Sequence, residues 1–154
     1  MSSIDKKLAE LGIELPQAVA PVANYVPTVT TGNLVFISGQ LPAQGGTFHY
    51  PGKVGGDVTI EQAQAAAKLC GLNLLAQLRA ACGGNLDNVK RCVRLGVFVA
   101  SAPGFTDHPK VANGVSDLMV AVFADKGKHA RAAVGVSELP FGVSVEVDAV
   151  FEIA

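Results

Sequence analysis

The residues with the most chemical potential in this chain lie near its end, on two valine-rich segments. Residues 129–137 (His-Ala-Arg-Ala-Ala-Val-Gly-Val-Ser) carry a lone arginine, Arg131, and residues 143–153 alternate apolar and polar side chains. This composition and period-two alternation predict a strand in each segment, with Leu139, Pro140, Phe141 and Gly142 as the break between them. On the second strand Val143, Val145, Val147, Ala149, Phe151 and Ile153 share one face, and Ser144, Glu146, Asp148, Val150 and Glu152 share the other. A guanidinium and carboxylates on adjoining strands, among largely apolar neighbours, allow two readings. One is a surface ion pair on a half-solvated sheet face, which contributes little. The other is a functional site.

Several other chemistries lack their residues. His49, His108 and His129 stand far apart with no metal-ligand spacing, and no Cys-x-x-Cys occurs. Gly52-Lys53-Val54-Gly55-Gly56 has the glycines of a phosphate loop, but no strand clearly precedes it and no Gly-Lys-Ser/Thr is present. There is no Gly-x-Ser-x-Gly elbow. A site here must be built mainly from Arg, Glu, Ser, Tyr, Asn and backbone groups.

The upstream chain has to supply what these strands rest on. Ile4, Leu8 and Leu11 have helical spacing, with Ser2 or Ser3 as a cap, Gly12 as a stop and Pro16 beyond it. We read residues 1–15 as an N-terminal helical extension and residues 16–154 as a single domain. A proline-punctuated stretch (Pro16, Pro21, Pro27) holds Tyr25. Strands follow at 28–31 and 34–37, split by Gly32-Asn33 as a two-residue turn. Residues 43–57 are glycine-rich, hold Phe48, His49 and Tyr50, and read as a long surface loop. Thr59-Ile-Glu-Gln62 is a capping box. From it Ile60, Ala63, Ala67, Cys70, Leu74, Leu78 and Ala81 step by three and four until Gly83-Gly84. Residues 89–101 predict a strand with Val93, Leu95, Val97 and Val99 on one face and solvated Lys90, Arg91 and Arg94 near its start. A second helix spans about 109–125, closed by Gly127. The order ββ–α–β–α–ββ predicts an α+β domain with both helices on one face of a sheet.

Composition bounds the partners. Hydrophobic residues make up 49% of the 154 and charged residues only 16%, with a mean hydropathy of +0.36. No apolar run approaches the roughly 18 residues of a membrane span, so the excess points to an apolar surface buried against another copy of the chain. The net charge of −1 and the absence of a long Lys/Arg cluster argue against nucleic acid. The first residues lack the apolar core of a secretory signal. Cys70 and Cys82, on one predicted helix, stand about 18 Å apart at 1.5 Å per residue, too far to bridge. Reduced thiols in a cytoplasmic protein fit best.

The segment Arg131-Ala-Ala-Val-Gly-Val-Ser-Glu-Leu-Pro140, followed by Val143-Ser-Val-Glu-Val-Asp148, resembles the closing signature of the Rid family, the YjgF-like reactive imine/enamine deaminases. Leu34-Val-Phe-Ile-Ser-Gly-Gln-Leu-Pro42 resembles that family too, and the match runs from about Ala20 to the C-terminus. The resemblance implies a chorismate-mutase-like (YjgF-like) α+β fold, assembled as a homotrimer with ligand clefts between subunits. It also implies roles. Arg131 matches the arginine that holds a substrate carboxylate, which a planar guanidinium grips by two parallel hydrogen bonds. Glu146 matches the glutamate that positions or activates a water. Ser38 and Gly39 match the loop contacting the ligand, and Tyr25 and Asn113 match pocket-lining residues. The chain departs from better-known members in four places. Ala133 stands where many carry a cysteine, the interval from Asn113 to Arg131 is one residue longer, the 43–57 loop is longer, and the N-terminal helix is extra. These features resemble a longer-loop branch of the superfamily.

The activity the resemblance implies is hydrolysis of reactive 2-imino or enamino acids to 2-keto acids and ammonia. It needs no metal or organic cofactor, because a protonated imine is already a good electrophile. The expected partners are a small carboxylate-bearing metabolite and further copies of the chain, with no nucleic acid and no membrane. The alternative from another class is a non-catalytic trimer that binds such a metabolite, keeping Arg131 without needing Glu146. Endoribonuclease activity, a label on some relatives, ranks last, because an RNA site should be basic and carry stacking aromatics, and aromatics are 6% here.

Overall fold

In the computed structural model, which describes residues 1–18 and 24–154, the alternating segments form one mixed sheet backed by two helices. Ala20 and Pro21 lie outside the described residues. The strands are β1 (Thr28–Thr31), β2 (Leu34–Gln40), β5 (Val89–Ala100), β6 (Ala130–Val136) and β7 (Val145–Ile153), in the order β1-β2-β7-β5-β6. Only β5 and β6 run parallel. Their crossover is α3 (His108–Phe123), as a parallel pair requires a long connection.

The longest helix, α2 (Ile60–Ala81), begins at the predicted capping box. Thr59 Oγ1 accepts from the Gln62 amide and Gln62 Oε1 accepts from the Thr59 amide. After α2, Gly84 N–H returns to the Arg79 carbonyl at 2.8 Å, with both glycines at positive φ, the closure glycine permits. Two further glycines let α2 and α3 pack closely. A Cβ on Gly71 would fall 2.7 Å from Leu118 Cδ2, and one on Gly114 would run into the Gln64 carbonyl oxygen and fall 2.9 Å from the Gln64 carbonyl carbon and Cα. The core between helices and sheet holds Leu74, Leu78, Leu95, Val97, Met119 and Phe151, all nearly or fully inaccessible. The first helix, α1 (Ser3–Glu10), is capped by Ser2. Its first two amides, Ser3 and Ile4, each donate to the Asp87 carboxylate at 2.9 Å, and Leu8 is buried.

Four expectations need correction. The last two strands are not neighbours: β5 lies between them, and residues 137–144 cross its end from β6 to β7. Residues 43–57 are not a featureless loop. Gly45 and Gly46, both at positive φ, turn a short hairpin of β3 (Ala43–Gln44) and β4 (Thr47–Phe48). Beyond it Val54 is fully buried and exchanges hydrogen bonds with Ala100 and Ala102. The 137–144 connection leans on this segment through Phe48 stacked on Phe141 at 5.1 Å and through Lys53, which pairs with Glu138 at 3.0 Å and reaches the Ser137 carbonyl. In β5 a register shift beside Cys92 sends that thiol, rather than Val93, into the core. Finally α3 stops at Phe123, and Ala124–Gly127 form a 3₁₀ turn.

Among the described residues, no layer covers the sheet face away from the helices. Val29, Phe36 and Val134 stand 54%, 44% and 45% exposed, and ladder pairing puts Val29 opposite Phe36 and Phe36 opposite Val150. No helix among the described residues is long and apolar enough to cross a membrane.

Candidate functional site

Arg131 lies on the edge strand β6, level with Leu95 of β5, so its side chain leaves the sheet on the helix-covered face. At the edge of the sheet it meets α3. Its Nη1 donates to Asn113 Oδ1 at 2.9 Å and to Ser116 Oγ at 3.1 Å. These two residues are three apart on α3 and so share a helix face. Ser116 Oγ is in turn 2.8 Å from His129 Nε2, and His129 Nδ1 donates to the Gly127 carbonyl at 2.6 Å. Among the described residues no carboxylate pairs with Arg131, so the internal ion-pair reading fails. Both Nη1 hydrogens are committed to neutral acceptors. The Nε–Nη2 edge, a two-donor fork that suits a carboxylate, remains.

Glu146 lies on β7 opposite Phe98 and projects from the other face of the sheet. Its place depends on an irregularity in β2. Ile37 pairs with Ala149 and Gln40 with Val147, which leaves one extra residue around Ser38 and Gly39, a β-bulge. The Glu146 side chain lies against Gly39. A Cβ there would stand 2.9 Å from Glu146 Cδ and 3.1 Å from Cγ, so any side chain at this position would displace the carboxylate. Ser38 ties down the preceding chain: its amide donates to Pro27 O at 2.9 Å and its hydroxyl to Val26 O at 3.0 Å. That anchors the segment carrying Tyr25, which is 59% exposed. Burial, and then the negative charge of Asp148, hold the Glu146 carboxyl above its ordinary value. Burial also raises Asp148, against the pull of Arg94 at 3.6 Å, so Arg94 is not a simply solvated charge.

The six expected site residues therefore gather as two groups. Asn113 joins Arg131 on one face; Gly39 joins Glu146 on the other, with Ser38 beside it and Tyr25 tethered nearby. Arg131 is level with Leu95 and Glu146 with Phe98, an odd step, and an odd step reverses the face. With β5 between them the two strands are also about 10 Å apart. One chain by itself does not bring the guanidinium and the carboxylate into one pocket. Ser116 and His129 escaped the sequence reading. The signals for them were positional: Ser116 follows Asn113 by three on a helix, and His129 precedes Arg131 by two on an extended segment. Among the described residues no three His, Cys, Asp or Glu side chains gather as metal ligands.

The helix-backed mixed sheet defines a chorismate-mutase-like α+β domain. Residues 5–150 match the family described as "YjgF/chorismate_mutase-like, putative endoribonuclease", and the chain belongs to this YjgF-like (Rid) family. Protein TCP17 of Trypanosoma cruzi is 50% identical over 147 residues, spanning 95% of this chain and 91% of its own length. A 2-iminobutanoate/2-iminopropanoate deaminase of Dermatophagoides farinae is 28% identical over 138 residues, spanning 90% and 92%. Among solved structures, the protein Atu1372 of Agrobacterium tumefaciens, described as of unknown function, is 48% identical. It superposes with a TM-score of 0.92 over 98% of this chain and 92% of its own.

Proposed function

We propose that the protein hydrolyses reactive 2-imino acids, and their enamine tautomers, to 2-keto acids and ammonia at a composite site between two copies of the chain. The observation that carries this reading is the Arg131 guanidinium, seated on Asn113 and Ser116 with no carboxylate partner among the described residues. A cation left in that state is suited to an incoming carboxylate. The complementary half, Glu146 against Gly39, lies on the uncovered face of the sheet. The exposed Val29, Phe36 and Val134 support packing of that face against another copy, and the family likeness supports a homotrimer. A neighbouring subunit then brings its Arg131 edge to this subunit's Glu146.

In that composite site Arg131 holds the substrate carboxylate and so fixes the position of the C=N carbon. Glu146, with its raised pKa, takes a proton as a water oxygen bonds to that carbon and the C=N π pair moves to nitrogen. The carbinolamine collapses as Glu146 returns the proton to nitrogen, the C–N bond breaks while the hydroxyl oxygen forms the C=O bond, and the hydroxyl proton passes to the departing ammonia to give ammonium. The net change is iminium acid plus water to keto acid plus ammonium. Ser38 and Tyr25 line the Glu146 side. The deaminase name borne by the Dermatophagoides relative supports the reaction class. The endoribonuclease wording gains no support from a net charge of −1, because phosphate backbones are bound mainly by Lys and Arg.

The test generates 2-iminobutyrate in situ and follows 2-oxobutyrate release. Arg131→Ala and Glu146→Gln should each lose turnover. Co-refolded in equal amounts, they should regain it at about a quarter of the sites, those pairing an intact arginine from one copy with an intact glutamate from another. Wild-type rates for folded Arg131→Ala refute the arginine's role. No recovery on mixing refutes the composite site. Retained 2-oxobutyrate binding, with no turnover even in the wild type, favours a non-catalytic carboxylate-binding trimer.

A further inference from the structure

We propose that Ser116 and His129 are positioning residues, forming a directed hydrogen-bond chain that decides which edge of Arg131 meets the ligand. The proposal rests on the reading of Arg131 as the carboxylate-binding group.

The direction of the chain follows from its anchor. The Gly127 carbonyl can only accept, so His129 Nδ1, 2.6 Å away, carries a proton. In the neutral ring Nε2 is then the acceptor, and the Ser116 hydroxyl, 2.8 Å away, donates to it. With its proton spent on the ring, Ser116 Oγ turns lone pairs outward. Arg131 Nη1 donates into them at 3.1 Å. Asn113 Oδ1 takes the other Nη1 hydrogen at 2.9 Å. The anchor is itself held by packing, because Gly127 lies so close under α3 that a Cβ would come within 2.6 Å of the Met119 carbonyl carbon and 2.9 Å of Val120 Cα. Gly127, Ser116 and Asn113 thus form one rigid frame along α3 and its closing turn.

Without His129 the Ser116 hydroxyl would be released. In mid-helix it has a ready alternative in a carbonyl of the preceding turn, and its oxygen would no longer be turned toward Arg131. The guanidinium would keep one contact, to Asn113, and could rotate about its terminal bonds. With the chain intact both Nη1 hydrogens are held, and only the Nε–Nη2 edge is presented. Ser116 and His129 are both half-buried; they act through Arg131 and do not touch the ligand themselves.

The experiment uses the full-length protein with 2-oxobutyrate as the binding probe, 2-iminobutyrate turnover, and side-chain ¹⁵N NMR of Arg131. In the wild type the two Nη signals should be resolved, because rotation is hindered. His129→Ala and Ser116→Ala should each merge them. Each should also weaken 2-oxobutyrate binding and raise KM about tenfold, with kcat within about threefold. The double variant should be no worse than either single, as expected for two links of one chain. Ser116→Thr, which keeps the hydroxyl, should restore both the signals and KM. Resolved Nη signals with wild-type KM in folded His129→Ala overturn the proposal. If Arg131→Ala nevertheless loses binding, the reading of Arg131 stands. If Arg131→Ala loses nothing, that reading falls and the proposal with it.

Discussion

Replacing Gly39 with alanine is a sharp test of how the sheet holds Glu146. The added Cβ would stand 2.9 Å from Glu146 Cδ and 3.1 Å from Cγ, where carbon atoms settle at about 3.5–4.0 Å. The carboxylate must retreat by about 1 Å. It can do so cheaply, because the crowding atoms are the end of a half-buried side chain rather than backbone. The methyl also removes glycine's excess backbone entropy in the unfolded chain, a gain of about 0.5–1 kcal/mol in a strand. The two effects roughly offset, so Tm should move by only a few degrees, given about 2–4 °C per kcal/mol for a domain near this size. Catalysis should respond quite differently. A misplacement of about 1 Å can cost about 10²-fold, equivalent to about 2.7 kcal/mol of transition-state stabilisation. The assay is kcat/KM on in situ 2-iminobutyrate for Gly39→Ala, Glu146→Gln and the double variant. If Gly39 acts through Glu146, the double variant is no slower than Glu146→Gln. Full activity in Gly39→Ala, or losses that multiply in the double variant, would refute the reasoning.

Four other outcomes are expected. The acid limb of kcat/KM should lie above the ordinary glutamate value of 4.5, and Asp148→Asn should shift it down without restoring that value, since burial, the larger cause, remains. The folded state holds this proton more tightly than the unfolded one, so its stabilising effect is complete below about pH 4.5 and is lost as pH rises through the raised value. The Tm advantage of Glu146→Gln over wild type should therefore appear and grow across that window, read by thermal melts at several pH values. Gly114→Ala pushes a methyl into the main chain of α2 at Gln64, which cannot yield as a side-chain tip does. It should cost about 1–3 kcal/mol, measured by denaturant titration, and should weaken 2-oxobutyrate binding by moving the neighbouring Asn113. The three cysteines are free and buried. Burial pushes the Cys92 thiol up to about 12 and raises Cys70 and Cys82. A thiol reagent should label none rapidly in the native protein and all three in guanidinium; rapid native labelling would contradict this burial.

Much of the framework was legible because it is local. The Thr59–Gln62 capping box, the three-and-four spacing along α2 and the alternation of β7 are each written within a few residues, and each forms as read. The hairpin at residues 43–48 was missed for the same reason in reverse, since two-residue strands are too short to carry a period. Cys92 displaced Val93 from the core because a bulge breaks alternation without marking the sequence. Ser116 and His129 carried no recognisable motif, and their importance comes from lying beside Arg131.

By itself, then, the sequence determined the longer elements, the family likeness and the chemical types at Arg131 and Glu146. The tertiary structure decided how those two relate. Strand order is a matter of long-range pairing, and inserting β5 between β6 and β7 parted two segments that adjoin in the chain. Register then settled the faces. Because side chains alternate along a strand, the odd offset between the levels of Leu95 and Phe98 turned the guanidinium toward α3 and the carboxylate to the open side of the sheet.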